Sequence, residues 1–187
     1  MILTIIQDTR EQDPLSFSPR VRVEEGHLDI HPWKDSLPAG DYSIKGLEDE
    51  IIIERKSLGD LFGSMTQGRE RFDRELRQFR RFRFAALVVE SDWPTILAGT
   101  YRSKMSVESA IGTLMSYKVK YGVNVLMAHD HQTAARLVEK ILCLYAEYYV
   151  RGAKSLLRAS KAASRPIVAP LPAPVLNPET LVEDLPF

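Results

Sequence analysis

Apolar residues in this chain fall into short, mostly β-branched runs that alternate with stretches of helical spacing. Residues 2 to 7, "ILTIIQ", read as a buried strand ending at Asp8-Thr9-Arg10-Glu11. Residues 12 to 20 hold two prolines and three Ser or Asp residues, which predicts a loop. "VRVEE" and "HLDIH" alternate on either side of Gly26, a hairpin pattern. "LPAGD" reads as a turn, "YSI" as the start of a strand, and "LEDE" as another polar turn. "IIIERK" at residues 51 to 56 is a strand whose unbroken apolar run fits burial on both faces. A helix follows: Ser57 and Asp60 form an S-x-x-D capping signal, and Leu58, Leu61, Phe62 and Met65 share one face. Gly63 and Gly68 predict a break within "GSMTQG". Phe72, Leu76, Phe79 and Phe82 mark a second helical pattern. "FAALVVE", residues 84 to 90, is a buried strand. Residues 106 to 120 are helical with Val107, Ile111, Leu114 and Met115 on one side, and "VNVLMAH" is the last strand.

Residues 131 to 150 form the last predicted helix, and its apolar positions (Ala134, Leu137, Val138, Ile141, Leu142, Leu144, Tyr145, Tyr148, Tyr149) cover well over half its circumference. A helix packed on one core needs a stripe of roughly 100°. The excess predicts a second partner surface, most simply another copy of the chain, and hence a homodimer. Strands alternating with helices give an α/β fold: a mixed central sheet flanked by helices, with ligands gathering at one end of the strands.

Composition adds an asymmetry. The formal net charge is zero, but residues 1 to 165 carry 25 basic against 22 acidic side chains, and the last 22 residues carry three acids and no base. A mildly basic body with an acidic tail suits a nucleic-acid partner without demanding one. One cysteine, Cys143, excludes an intramolecular disulfide and a Cys-based zinc site, and its apolar helical setting makes it a core residue. Asp8, Arg10 and Glu11 interrupt the N-terminus before a signal sequence could form, and no apolar run approaches the roughly 18 residues of a membrane span, so the expected compartment is the cytoplasm.

The candidate chemistry lies at the strand ends. Asp8 and Glu11 follow the first strand, and Asp41 follows a glycine ahead of "YSI". Glu54 and Lys56 stand two apart on one strand and so share a face. If the strands of Asp41 and Glu54 are neighbours, the side chains of Asp41, Glu54 and Lys56 reach one point. Two carboxylates and a lysine suit Mg²⁺ or Mn²⁺ and a phosphodiester: the metal polarises the phosphate and acidifies a bound water. The lysine orients or deprotonates that water, or stabilises charge growing on phosphorus. This is the PD-(D/E)xK nuclease arrangement.

The surrounding residues sharpen it. "DTRE", "LPAGDY" and "GDY…IIIERKSLGD" resemble, in this order, the D-x-R-E and GDx(n)ERKxxxD motifs of the XPF-type structure-specific endonucleases. The resemblance covers roughly residues 1 to 150 and implies a restriction-endonuclease-like core. It also implies Asp41 and Glu54 as metal ligands, Lys56 as the catalytic lysine and Asp8 as an additional ligand or near-ligand. Arg10, Glu11, Arg55 and Asp60 would orient the site or the phosphate. Plainer roles compete: Asp60 as a helix cap only, Arg55 and Asp41 as an ion pair, Arg10 and Glu11 as solvated loop charges. The family habit of homodimerising agrees with the wide apolar helix face. Its usual tandem helix-hairpin-helix domain has no counterpart here, which leaves preference for flapped or branched DNA to some other source.

Residues 69 to 83, "RERFDRELRQFRRFR", set seven arginines against three acids, with the phenylalanines on one face. Arg69, Arg71, Arg74, Arg77, Arg80 and Arg81 are therefore either a phosphate-contacting surface or partners in i, i+3 and i+4 ion pairs. "YRSK" at 101 to 104, with Lys104, is a second basic loop. "HDH" at 129 to 131 is either a metal pair or a helix start capped by Asp130.

The division read from the sequence is a nuclease domain over 1–157, a disordered Pro/Ala-rich linker over 158–178 and an acidic interaction peptide over 179–187. "VEDLPF" resembles the C-terminal tip of bacterial single-stranded DNA-binding proteins. This implies a bacterial or phage source and capture of Glu183, Asp184, Leu185, Pro186 and Phe187 by proteins that read such tips. A sliding-clamp peptide, self-inhibition of the DNA groove and an idle end are the alternatives. Two functions stand against each other: a metal-dependent DNA endonuclease of repair or recombination, and a non-catalytic DNA-binding adaptor.

Overall fold

A computed structural model describes residues 1–24 and 26–162. The chain divides into two compact units, Met1–Tyr149 and Val150–Phe187. The linker and tip expected at the C-terminus lie, from residue 163 on, outside the described residues.

The first unit is built on a seven-stranded mixed sheet: β1 (Ile2–Asp8), β2 (Arg20–Val23), β3 (Gly26–Asp35), β4 (Tyr42–Ile44), β5 (Ile51–Ser57), β6 (Phe84–Glu90) and β7 (Asn124–Met127). The spatial order is β2-β3-β1-β4-β5-β6-β7. β1 lies parallel to β3 and antiparallel to β4, β4 is antiparallel to β5, and β5, β6 and β7 run parallel. The predicted hairpin forms between β2 and β3. β3 continues past it through Pro32 to pair along all of β1.

Helices cover both sheet faces. α1 (Leu58–Met65), α2 (Arg69–Phe79), α3 (Trp93–Leu97) and α4 (Val107–Tyr121) contribute to a core containing Ile6, Ile52, Leu87 and Val89. The residues Ala134, Val138 and Leu142 of α5 (His131–Ala162) pack in the other core, with Ile5, Ile51, Ile53 and Val88. Burial on both faces is why Ile51, Ile52 and Ile53 can follow one another without a polar break. Among the described residues, no helix is long and apolar enough to cross a membrane.

Several local expectations shift. α2 ends at Phe79, so Phe82 belongs to the turn beyond it, where it meets Phe79 edge to face. The buried stripe of α4 is Ala110, Leu114 and Tyr117, while Met115 is exposed. α3 is short, started by Asp92 and Pro94, and was not expected from periodicity because five residues show none. α5 runs twelve residues past the predicted end. Arg151 to Ala162 are mostly good helix formers, and Gly152 alone does not stop them. Leu144, Tyr148 and Tyr149 of the wide apolar face are exposed in the first unit. In the second unit, Leu156 is exposed.

Candidate active site

β1, β5 and β6 end at the same edge of the sheet at which β4 begins, which brings Asp8, Asp41, Glu54–Ser57 and Glu90 together. An open cleft of about 700 Å³ lies there, lined by Glu11, Asp41, Glu54, Lys56, Asp60 and Glu75 among others.

Gly40 sets the position of Asp41. Its φ of +65° is left-handed, and a Cβ there would meet Ile52 Cγ1 at 2.6 Å and the Ile53 carbonyl oxygen at 3.1 Å. Only glycine lets the chain cross this closely above β5. Asp41 then donates its N–H to the Ile53 carbonyl (2.9 Å) and accepts at Oδ2 from the Arg55 N–H (2.8 Å).

Alternation along β5 sorts the ERK triplet between two faces. On one, Lys56 Nζ donates to Glu54 Oε1 at 2.7 Å and sits 4.6 Å from the centre of the Phe72 ring. Burial pushes the Glu54 carboxyl well above the usual range, and Asp41 adds repulsion. Asp41 is raised to about 6, first by burial and then by Glu11 and Glu75, against the pull of the Arg55 N–H. Burial opposes the charge of Lys56, but Glu54 overcomes it and holds the ammonium above its ordinary value.

On the other face, Arg55 donates Nη2 and Nε to Glu11 (2.8 and 3.2 Å) and Nη1 to Glu90 Oε1 (3.1 Å). Its side chain is 9% exposed and Glu11's 6%, so this is a buried network that fixes the loop after β1 to β5 and β6. His131 Nδ1 lies 2.7 Å from the same Glu90 oxygen. The expected Arg55–Asp41 alternative is realised through the main chain of Arg55, not its guanidinium.

The D-x-R-E residues divide in the same way. Asp8 is buried, and its two oxygens accept from Arg10 N–H (2.8 Å), Arg10 Nε and Nη2 (2.6 and 3.1 Å) and Leu37 N–H (2.7 Å). Burial opposes that ionisation, but these donors outweigh it and lower its pKa. With both oxygens so occupied, Asp8 organises the loops that carry Arg10 and Asp41; its own N–H donates to the Asp41 carbonyl at 2.8 Å. Ser57 caps α1 by accepting from the Asp60 N–H (3.1 Å), and Asp60 closes the capping pair by accepting from the Ser57 hydroxyl at Oδ2 (2.7 Å); Asp60 also lines the cleft.

Among the described residues, no three His, Cys, Asp or Glu side chains are gathered closely enough to hold a metal ion. The Asp41, Glu54 and Asp8 set is thus not assembled as a three-carboxylate cage. Asp41 and Glu54 remain a pair of hard oxygen donors, both raised by burial and by adjoining negative charge. That donor set suits Mg²⁺ or Mn²⁺, which use few protein ligands and add waters and phosphate oxygens.

Arg69, Arg71, Arg74, Arg77, Arg80 and Arg81 are all exposed, and none forms an ion pair among the described residues. The ion-pair reading of α2 therefore fails: the i, i+3 and i+4 spacing is present, but the side chains do not meet. Arg71 reaches the cleft. Asp130 caps α5 through the Thr133 N–H (2.7 Å), while His129 pairs with Asp92 and His131 with Glu90, so "HDH" does not converge on one point.

Two cleft residues escaped the sequence reading. Glu75 was counted only as an acid among arginines, yet its field reaches Asp41, Glu54, Lys56 and Arg10. Glu90 closes "FAALVVE", and its polar identity at the end of an apolar run was the available signal.

The fold is shared with known proteins. Two solved structures are similar: XPF from Aeropyrum pernix, at 19% identity over 90% of this chain and 67% of that one, TM-score 0.55; and XPF from Aeropyrum pernix in complex with DNA, at 22% identity over 78% and 66%, TM-score 0.56. This chain thus spans about two thirds of their length. No curated protein sequence matches. The ERCC4 domain matches residues 8–141, the stretch that runs from Asp8 through the whole cleft to Ile141, and by that match this chain belongs to the ERCC4 domain family with an XPF-type nuclease fold.

Proposed function

We propose that this protein is a DNA endonuclease of repair or recombination that depends on Mg²⁺ or Mn²⁺ and acts on branched or flapped DNA. The observation that carries the reading is the pairing of Asp41 and Glu54 with Lys56 in one cleft, at the strand ends of an ERCC4 fold. A divalent cation bound there would polarise the phosphodiester and acidify a water. Asp41 and Glu54 would hold it, and its charge would relieve their mutual repulsion. Lys56, held as an ammonium beside Glu54, is placed to act as a cation toward the phosphate. Water adds to phosphorus, the bond to the 3′ oxygen breaks, and a proton passes to that oxygen, leaving 5′-phosphate and 3′-hydroxyl ends. Arg55, Glu11 and Glu90 keep the cleft walls in place through their mutual pairing. Arg10 and Arg71 lie at the cleft, and the exposed arginines of α2 extend that positive surface to the flanking phosphates.

The exposed Leu144, Tyr148 and Tyr149 support a homodimer through α5. Sedimentation velocity of the full chain should give a dimer, and Tyr148→Glu a monomer.

The test of the enzyme uses labelled duplex, single-stranded, flap, fork and four-way DNA with Mg²⁺, Mn²⁺ or EDTA. Metal-dependent cutting that is lost in both Asp41→Ala and Lys56→Ala is expected. DNA bound but never cut would favour the adaptor.

A further inference from the structure

A second concavity opens beside the cleft, on the far side of α1. Leu58 and Gly59 line it where Ser57 and Asp60 line the cleft, so the first turn of α1 is a wall common to both. A cavity of about 500 Å³ runs between α1 and the loop at 100–103, and a further one of about 790 Å³ continues to the start of α4. The two share Thr66, Gln67, Arg102 and Ser103 and form one groove.

Its chemistry is uniform. Arg69, Arg102 and Lys104 are its charged residues; no Asp or Glu lines it among the described residues. None of the three cations has an ion-pair partner among the described residues, whereas Arg10, Arg20, Lys45, Arg55 and Lys56 all do. Hydroxyl and amide side chains supply the rest of the polar lining. In the wall nearest the cleft the half-buried Tyr101 stacks at 4.1 Å on Phe62, which is itself buried. Gly63 leaves the floor open: a Cβ there would meet nothing within 4 Å. Unpaired cations along a concave track, with a partly exposed aromatic ring such as Tyr101 at one end, are the means by which proteins hold an unpaired strand. Duplex DNA suits an exposed convex face such as the arginine side of α2.

We propose that this groove takes a single-stranded DNA segment that passes from the cleft over the first turn of α1. The inference rests on the endonuclease reading and deepens it: it assigns separate surfaces to duplex and to unpaired strand, which would let this domain favour a duplex–single-strand boundary.

The test is fluorescence anisotropy of the full chain in EDTA, with an oligothymidylate of about twelve nucleotides and a blunt hairpin duplex. Two variants alter the groove: Arg102→Glu with Lys104→Glu, and Gly63→Leu, which fills the floor. Arg77→Glu with Arg81→Glu alters α2 and the turn after it, outside the groove. Both groove variants should lose about tenfold in oligothymidylate affinity and stay within about twofold on the hairpin. For the charge variant the salt slope should flatten by about 0.7 for each phosphate left unneutralised. Thermal melts report folding; if Gly63→Leu lowers the melt, the charge variant decides. Oligothymidylate affinity retained in a folded groove variant overturns the proposal, as does an equal loss on both DNAs. The α2 variant should show the reverse pattern, and an α2 variant that loses oligothymidylate as far as the hairpin overturns the separation of the two surfaces. A wild-type protein that binds neither DNA overturns the DNA reading itself, and the groove with it.

Discussion

The end of β5 and the outer face of α2 are both densely charged, and they treat charge in opposite ways. At β5, Arg55, Lys56, Glu11, Glu54 and Glu90 are buried or nearly so, and each has a partner within 3.2 Å. On α2 the arginines are exposed and unpaired among the described residues. A buried charge without a partner is too costly to keep, so the cleft is internally closed and geometrically fixed. An exposed charge costs little to leave free, so α2 keeps its capacity for an incoming polyanion. The lesson is that stability and DNA affinity should respond to different residues.

The largest effect expected is on turnover. Lys56→Ala removes the cation held at the reacting phosphate and should lower the cleavage rate by about a thousandfold, measured in single turnover, with hairpin affinity nearly unchanged. If affinity falls as far as rate, Lys56 is a binding residue and the comparison weakens.

Next is stability. Arg55→Leu leaves Glu11 and Glu90 buried without their shared cation, and should cost about 3–5 kcal/mol in urea unfolding. Arg77→Ala on α2, by contrast, should change stability by no more than about 0.5 kcal/mol. Equal losses in the two variants would erase the distinction between the regions.

A smaller effect concerns pH. Folding raises Asp41 from its ordinary 3.8 to about 6. The folded state therefore favours the protonated carboxyl: stability falls as pH rises from about 4 to about 6, and the cost of ionisation is fully present above that. In EDTA, Asp41→Asn should stabilise the protein by about 1–3 kcal/mol at pH 7.5 and hardly at all at pH 4. Adding Mg²⁺ or Mn²⁺ should raise the melting temperature of the wild type at pH 7.5 and leave that of the variant unchanged. A variant equally stabilised at both pH values would show that ionisation of Asp41 carries no penalty.

The smallest is on α2 itself. Arg77→Ala with Arg81→Ala, the latter just beyond the helix end, should weaken hairpin binding by about tenfold and flatten its salt slope by about 0.9 for each phosphate left unneutralised. A slope that does not move would mean these arginines face no phosphate.

Much of this site was legible before any fold was known, because its members stand where local rules leave little choice. Glu54 and Lys56 share a face through strand periodicity alone. The turn read at "LPAGD" lies where the chain bends ahead of Asp41, and Gly40 within it takes a positive φ. Ser57 and Asp60 wrote their helix cap in the sequence. The apolar run of 51 to 53 announced a strand covered on both sides. Glu75 and the groove along α1 were not legible. Glu75 comes from a helix that reaches the cleft only after α1 and α2 fold back over the sheet, and a groove is a relation between the loop at 100–106 and a helix some forty residues earlier.

By itself the sequence determined which chemical groups stand at strand ends and which side of each strand they take, since those depend on a period of two and on near neighbours. Only the tertiary structure decided which charge meets which. Arg55 binds Glu11 and Glu90, not the Asp41 carboxylate through its guanidinium, and Asp8 is taken by Arg10 and Leu37. The Arg55 pairs follow from the order β1-β4-β5-β6, which sets residues 35 to 44 positions apart within hydrogen-bonding reach, whereas Asp8 and Arg10 meet across two positions. No local pattern encodes that order, because it is selected by burying both sheet faces at once.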